Sequence, residues 1–261
     1  MPSQSRKFSQ ITQNSYNNKC GPLIFAAHSG KISTKRLRLS ANEGTNHAVP
    51  LTLELAQAVA IGAFNPYVVT PEWLVRFGVY PKKGQCRFRL VPLGNGTAFE
   101  FKHGSAQIDW QVDNQKLSVA SADRSIDCGM TVSKVLELLP HTPVQAIGHN
   151  FHFSATKEDW GNRPAPMLGS KGLEDFEKAE QVRWIGTLRR NGTRIEVTLA
   201  HEADAVAILF NHHRTMNLEL ARKALVVEEQ IKEAKEAAGE FSKDFGVSCE
   251  LLRSLFDMEL L

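Results

Sequence analysis

Val59-Ala60-Ile61-Gly62-Ala63-Phe64-Asn65-Pro66-Tyr67-Val68-Val69-Thr70-Pro71-Glu72 is the stretch on which the fold turns. Upstream of it, Leu51, Leu53 and Leu55 alternate with Thr52 and Glu54, the period of a half-buried strand. Thr70-Pro71-Glu72 then reads as a helix start: a threonine N-cap, proline in the first helical position, and acid in the first turn. Part of this stretch recurs. Ala60, Ile61, Gly62, Thr70 and Glu72 return as Ala146, Ile147, Gly148, Thr156 and Glu158, 86 positions on. A second set returns at an offset of 96: Arg87, Asn95-Gly96-Thr97 and Glu100 as Arg183, Asn191-Gly192-Thr193 and Glu196. Apolar positions follow it, with Phe88, Phe99 and Phe101 matching Trp184, Ile195 and Val197. The insertion Gly161–Gly172, with Pro164, Pro166 and Gly169, accounts for the ten-residue change of offset.

Working outward, strands are expected over 86–91, 98–103, 106–112 and 116–122, with Asn95-Gly96 as a tight hairpin turn. Thr131 is read as the cap of a helix to Leu139, with Val132, Val135, Leu136 and Leu139 on one stripe and Pro140 stopping it. The second copy gives a strand at 144–154, a short helix capped by Thr156, and strands at 181–188, 194–200 and 205–212. A long helix over 218–238, ended by Gly239, and a last helix over 248–258 complete the chain. The expected divisions are a basic tail at 1–48, repeat 1 at 49–142, repeat 2 at 143–240 and a C-terminal helix at 241–261.

The expected fold class is therefore α+β, built from two tandem βα-ββββ-α repeats. That element order and its duplication, over residues 50 to 240, resemble the TATA-binding-protein-like saddle fold. The resemblance implies one curved antiparallel sheet with the long helices on its convex side. No sequence motif of the TATA-binding proteins is matched, so no residue role carries over, and fold analogy alone does not assign a DNA function.

Charge divides the chain. The net +3 comes from a tail, residues 1–48, with seven basic residues and one acid; the remainder holds 24 basic against 27 acidic residues. A mildly acidic body has little pull on phosphate backbones, and the tail carries the basic character. The tail is expected to be a basic, disordered segment, with organellar import as an alternative. No apolar run approaches the roughly 20 residues of a membrane span. The cysteines Cys20, Cys86, Cys128 and Cys249 form no CxxC pair, which fits reduced thiols and a cytoplasmic setting.

No nucleotide-binding loop, nucleophile elbow or HExxH motif occurs, and no cofactor or metal is expected. The candidate ligand-binding residues are Arg87, Arg183, His149, His152, Asn211, His212 and His213. Arg87 and Arg183 are equivalent by the repeat. Guanidinium pairs suit anions, but cross-strand pairing with Glu100 and Glu196 explains them as scaffold. Strand alternation puts His149 and His152 on opposite faces, and likewise His212 and His213. Three functions follow as expectations. A protein or peptide binder needs an exposed apolar patch on the sheet, and a nucleic-acid binder needs a basic face. A metal-dependent hydrolase or nuclease needs His152 to meet His212 or His213.

Overall fold

A computed structural model of the chain describes residues 49–80, 86–93, 96–103, 107–160, 182–201, 205–216, 227–256 and 258–260. Asn46–Leu261 form one compact unit. The strands are β1 (Val49–Gly62), β2 (Cys86–Leu93), β3 (Gly96–His103), β4 (Ile108–Val112), β5 (Lys116–Ser121), β6 (Val144–Thr156), β7 (Val182–Arg190), β8 (Thr193–His201), β9 (Ala205–Thr215) and β10 (Met258–Leu260). The described helices are α1 (Pro71–Arg76), α2 (Cys128–Leu138), α3 (Lys157–Trp160), α4 (Val227–Gly239) and α5 (Phe241–Phe256). Nine strands form an antiparallel sheet in the order β2-β3-β4-β5-β1-β6-β9-β8-β7, and β10 pairs in parallel with the start of β1. The fold is α+β. Reading outward from the central pair, one side runs β1-β5-β4-β3-β2 and the other β6-β9-β8-β7. The second side has three described strands after α3, the three read there one by one and one fewer than the four of the expected repeat unit; the insertion Gly161–Gly172 and the expected helical stretch 218–226 lie outside the described residues.

Local chemistry sets the element ends. Thr70 caps α1, its hydroxyl accepting from Trp73 N at 3.3 Å, and Leu74 is the buried residue of that helix. The cap of α2 is Asp127, four residues before the expected Thr131: its carboxylate accepts from Met130 N at 2.8 Å, while the Thr131 hydroxyl donates back to Asp127 O. Asn191 and Gly192 turn β7 into β8 with φ of 49° and 78°, the left-handed pair that a two-residue hairpin requires. The last helix starts at Phe241, well before the expected Ser248. Its buried stripe is Phe241, Asp244, Ser248, Leu252 and Phe256, and the two polar members hide its first half from an apolar-periodicity reading.

The described helices cover one face of the sheet. On β1 that face carries Ala56, Ala58 and Ala60, all buried; on β6 it carries Ile147, His149, Phe151 and Phe153. The small alanines let α2 sit close, and the buried Cys128 thiol donates to Ala56 O at 3.5 Å. Gly129 is tighter still. A Cβ there would lie 2.2 Å from Ala238 O and 2.3 Å from Phe241 Cβ, so α2 crosses the α4–α5 junction by virtue of a missing side chain.

The ladder also tests the sequence repeat. At the offset of 96, faces agree: Phe99 and Ile195, and Phe101 and Val197, point to the helices, while Glu100 and Glu196 point away. At the offset of 86 they disagree. Ala60 faces the helices opposite Ile147, so Ala146, the residue it matches by letter, faces the other way. A one-residue slip exchanges the faces of a strand, so the Ala-Ile-Gly match is one position out of phase.

Gly129→Ala should destabilise the protein by about 2 kcal/mol, because the clash is with backbone and a Cβ that cannot rotate away. Urea unfolding followed by circular dichroism reads this directly. An unchanged midpoint would mean that α2 and α4 do not cross at this position.

Candidate functional site

Alternation distributes the candidate residues between two environments. His149 and His212 face the helices and are fully buried; His152, Asn211 and His213 face the open side and are half-buried. Arg87 is exposed on the open side of β2. Arg183 stands opposite Ala200 on β7, and its side chain lies outside the described residues. His152 and His213 share a face but are four ladder positions apart, roughly 14 Å of strand. His212 lies on the other side of the sheet. The convergence required for a shared metal does not occur, and among the described residues no three His, Cys, Asp or Glu side chains are grouped to hold a metal ion.

The buried histidines belong instead to a polar cluster whose centre the sequence reading missed. Asp244 of α5 accepts from His149 Nδ1 at 2.7 Å and takes both Nη atoms of Arg214 at 2.5 and 2.7 Å. His212 Nδ1 lies 3.5 Å from the same carboxylate, and its Nε2 is 2.8 Å from Ser248 Oγ. The Ser248 hydroxyl donates to Asp244 O, which leaves its oxygen to accept from His212 Nε2–H. Burial is the largest influence on Asp244 and works to raise its pKa, but the bonds from His149 and Arg214 and the field of His212 outweigh it. The carboxyl is held well below the usual range. Burial also dominates at His212 and pushes its pKa down to about 4, with Asp244 pulling it back only in part. The order Ser248–His212–Asp244 resembles a nucleophile, base and orienting acid. Ser248 is fully buried within α5, however, and its proton is already committed to a backbone carbonyl. A cleft of about 620 Å³ beside this cluster is lined by the β7–β8 turn, α4 and α5. Its basic side chains are paired: Arg190 with Glu250, Lys243 with Glu240, and Arg214 with Asp244. The cluster is a tie between α5 and the strands β6 and β9.

The open side has a different chemistry. Arg89, Glu100, Gln111 and Ser118 are successive ladder neighbours on β2 to β5. Between β5 and β1 the row steps two residues, since Ser118 stands opposite Val59; Gln57, Asn150, Asn211, Glu196 and Thr187 are then successive ladder neighbours on β1, β6, β9, β8 and β7. Gln57 donates to Ser118 Oγ and Asn150 donates to Gln57 Oε1, each at 2.8 Å, so one polar row crosses all nine strands. Two depressions lie on this side. One of about 520 Å³ spans β1 to β5, and one of about 190 Å³ is bounded by Arg194, Glu196, Asn211 and His213. Charges here are paired: Arg89 with Glu100, Lys102 with Asp109 at 2.7 Å, and Arg194 with Glu196 at 3.3 Å. The ladder does not set Arg87 opposite Glu100 or Arg183 opposite Glu196; their partner positions are Lys102 and Ala200. Glu100 is opposite Arg89 in the ladder, and Glu196 reaches Arg194 along its own strand.

The expected apolar patch is not at the centre of the open side. Exposed large apolar residues cluster at the β2 edge, on the helix side, where Tyr67, Phe88 and Leu90 surround Phe99; on the open side of β7, Ile185 is exposed. No described helix is long and apolar enough to cross a membrane. No protein-family model matches this chain, and no curated protein matches it in sequence.

Lowered pKa values at His212 and Asp244 give stability a definite sign against pH. Both groups bind protons more readily unfolded than folded. His212 therefore costs stability as pH falls from about 6.5 to 4, by on the order of 3 kcal/mol, and Asp244 adds to the loss below that window. Half-buried His152, its pKa lowered by burial, works in the same direction. The urea midpoint should be flat above pH 7 and fall steadily below 6.5, and His212→Gln should flatten the upper part of that fall. An unaltered pH slope in the variant would remove His212 from the account.

Proposed function

We propose that this chain is a non-enzymatic binding protein that presents the open side of its nine-stranded sheet to a protein or peptide partner. The centre of the open side lacks the apolar patch expected of such a binder, and the reading rests instead on the polar row from Arg89 to Thr187, left bare by the described helices and neutralised by its own ion pairs. Self-paired charge attracts a polyanion weakly, while a half-buried row of amides and hydroxyls offers donors and acceptors to a polar protein surface. The platform is read as the saddle of the TATA-binding-protein-like fold, formed by two tandem βα-ββββ-α units. Support comes from the strand order, which runs outward from β1 and β6, and from the agreement of faces at the 96-residue offset. The buried Ser248 and the separated His152 and His213 speak against chemistry at the candidate residues.

One observation favours nucleic acid as a second reading. The outer strands are basic and acid-free: β2 carries Arg87 and Arg89, and β7 carries Arg183, Arg189 and Arg190.

Asn211→Lys separates the two because it places a cation in the row without touching the core. Protein capture from a cell extract by the immobilised full chain, quantified by mass spectrometry, should fall about tenfold in the variant. Retention of DNA or RNA should stay weak and vary little with salt. Stronger, steeply salt-dependent nucleic-acid binding by the variant would transfer the platform to the second reading.

A further inference from the structure

We infer that the buried cluster of His149, His212, Arg214 and Asp244 is an acid-sensitive latch: proton uptake by its imidazoles frees helix α5 from the sheet while the strand ladder stays intact.

Acid acts on the interior of this protein at one place. Among the described residues Asp244, His149 and His212 are buried in one cluster, and no other Asp, Glu or His is buried. Asp244 and Ser248 belong to α5, whereas His149 belongs to β6 and His212 and Arg214 to β9, so the bonds among them tie helix to sheet. In the docked state one carboxylate faces one guanidinium, and His149 Nε2 and His212 Nδ1 have no hydrogen-bond partner. A proton at either nitrogen adds a positive charge that Asp244, already shared with Arg214, must balance alone. At His212 the new N–H has Asp244 Oδ1 at 3.5 Å, beyond an ordinary hydrogen bond. At His149 it has no acceptor, and the ring packs against Phe241 of α5 with centroids 5.1 Å apart.

The surroundings do not relieve this charge. Ala58 and Ile195, the ladder partners of the two histidines on β1 and β8, are uncharged. Asp127 of the α2 cap accepts from Ser242. Glu233 and Glu236 of α4, with Glu240, Lys243, Glu250 and Arg190, line the neighbouring cleft and are exposed or half-buried, where solvent screens them. Opening lets water solvate both imidazolium ions. Burial, opposed only in part by Asp244, lowers the docked His212 pKa to about 4 from about 6.5, so opening takes up a proton. Docking is at full strength above about pH 6.5 and weakens as pH falls toward about 4.

The other helices lack this sensitivity. The polar bonds of α2 and α4 to the sheet, from Cys128 to Ala56 O and from Gln230 to Val144 O, are neutral. The ties of α5 outside the cluster, Arg190–Glu250 and Ser242–Asp127, are exposed and weak. Once off the sheet, a helix of 16 residues is marginal in water, so its amides lose protection.

Hydrogen exchange of the full chain, followed by mass spectrometry and corrected for the intrinsic pH dependence of exchange, tests the latch. Peptides spanning 241–256 should lose protection at least about tenfold between about pH 7 and pH 5, because each proton taken up on opening shifts the equilibrium about tenfold per pH unit below about 6.5. Peptides spanning β1 and β6 should keep theirs. Unchanged protection of 241–256 would overturn the latch, and so would an equal loss in β1 and β6, which is unfolding of the whole. His149→Gln/His212→Gln removes both proton sites and should flatten the response of 241–256; a response that persists would also overturn it. If that variant does not fold, the wild-type profile decides by itself.

Discussion

The antiparallel ladder between β1 and β6 is the constraint on which the rest of the structure depends. These two long strands join the outward runs of the sheet, and each lends its helix-facing residues to a different packing problem. On β1 the alanines at 56, 58 and 60 leave room for α2, whose own Gly129 admits the α4–α5 junction. On β6 the large rings do the opposite: Phe151 fills the space beneath Phe241 and Phe245 at centroid distances of 5.0 and 5.3 Å. Small against close and bulky against distant, the two strands set the height of the helix layer above the sheet. Close packing of this kind admits little further adjustment.

Within that layer Asp244 fixes what apolar contact cannot. Aromatic packing alone would tolerate sliding of α5 along its axis, whereas a buried carboxylate with directional partners on β6 and β9 accepts a narrow range of positions. Gln230 does the same for α4, donating to Val144 O at 2.8 Å. Breaking such ties by removing one partner is far more costly than their net contribution when whole, because a charge is then stranded out of water. The polar residues of the core and those of the open side thus serve different ends. The first are enclosed and tied by a few directional bonds, with His149 Nε2, His212 Nδ1 and Gln230 Oε1 left without a hydrogen-bond partner, whereas the second are ordered by one another yet remain within reach of solvent.

Much of the sheet was legible in the sequence because alternation, the Asn191-Gly192 turn and the Thr70 cap are local signals, while Asn95 of the expected Asn95-Gly96 turn lies outside the described residues. The opposite facing of His149 and His152 was legible too. Which of them is buried could have been found: Ile147, Phe151 and Phe153 share the parity of His149, so the apolar row names the inner face. Other features were hidden for physical reasons. Asp127 and Thr131 are both competent caps, and the choice is made by where the helix meets its neighbours: Asp127 also accepts from Ser242 at the start of α5. Asp244 and Ser248 read as surface residues because their partners lie on strands far away in sequence. The Ala-Ile-Gly repeat illustrates the converse, since identical letters in two strands face opposite ways when the register differs by one.

The short strand β10 has a consequence for how the chain reaches this state. It pairs in parallel with the first residues of β1, so the first and last described elements of the chain are neighbours. The central β1–β6 ladder likewise joins segments separated by the whole of β2 to α2. Contacts this remote in sequence give high contact order, with loop closure preceding most of the stabilising pairing. During synthesis β1 emerges first yet waits for β5, then β6, and finally β10 before its edges are satisfied. An exposed alternating strand of this length is a hazard while it waits. The ladders β2–β3 and β7–β8 at the two rims join strands adjacent in sequence and need far less loop closure. The loop-closure cost of this sheet is therefore concentrated at its centre and not at its rims.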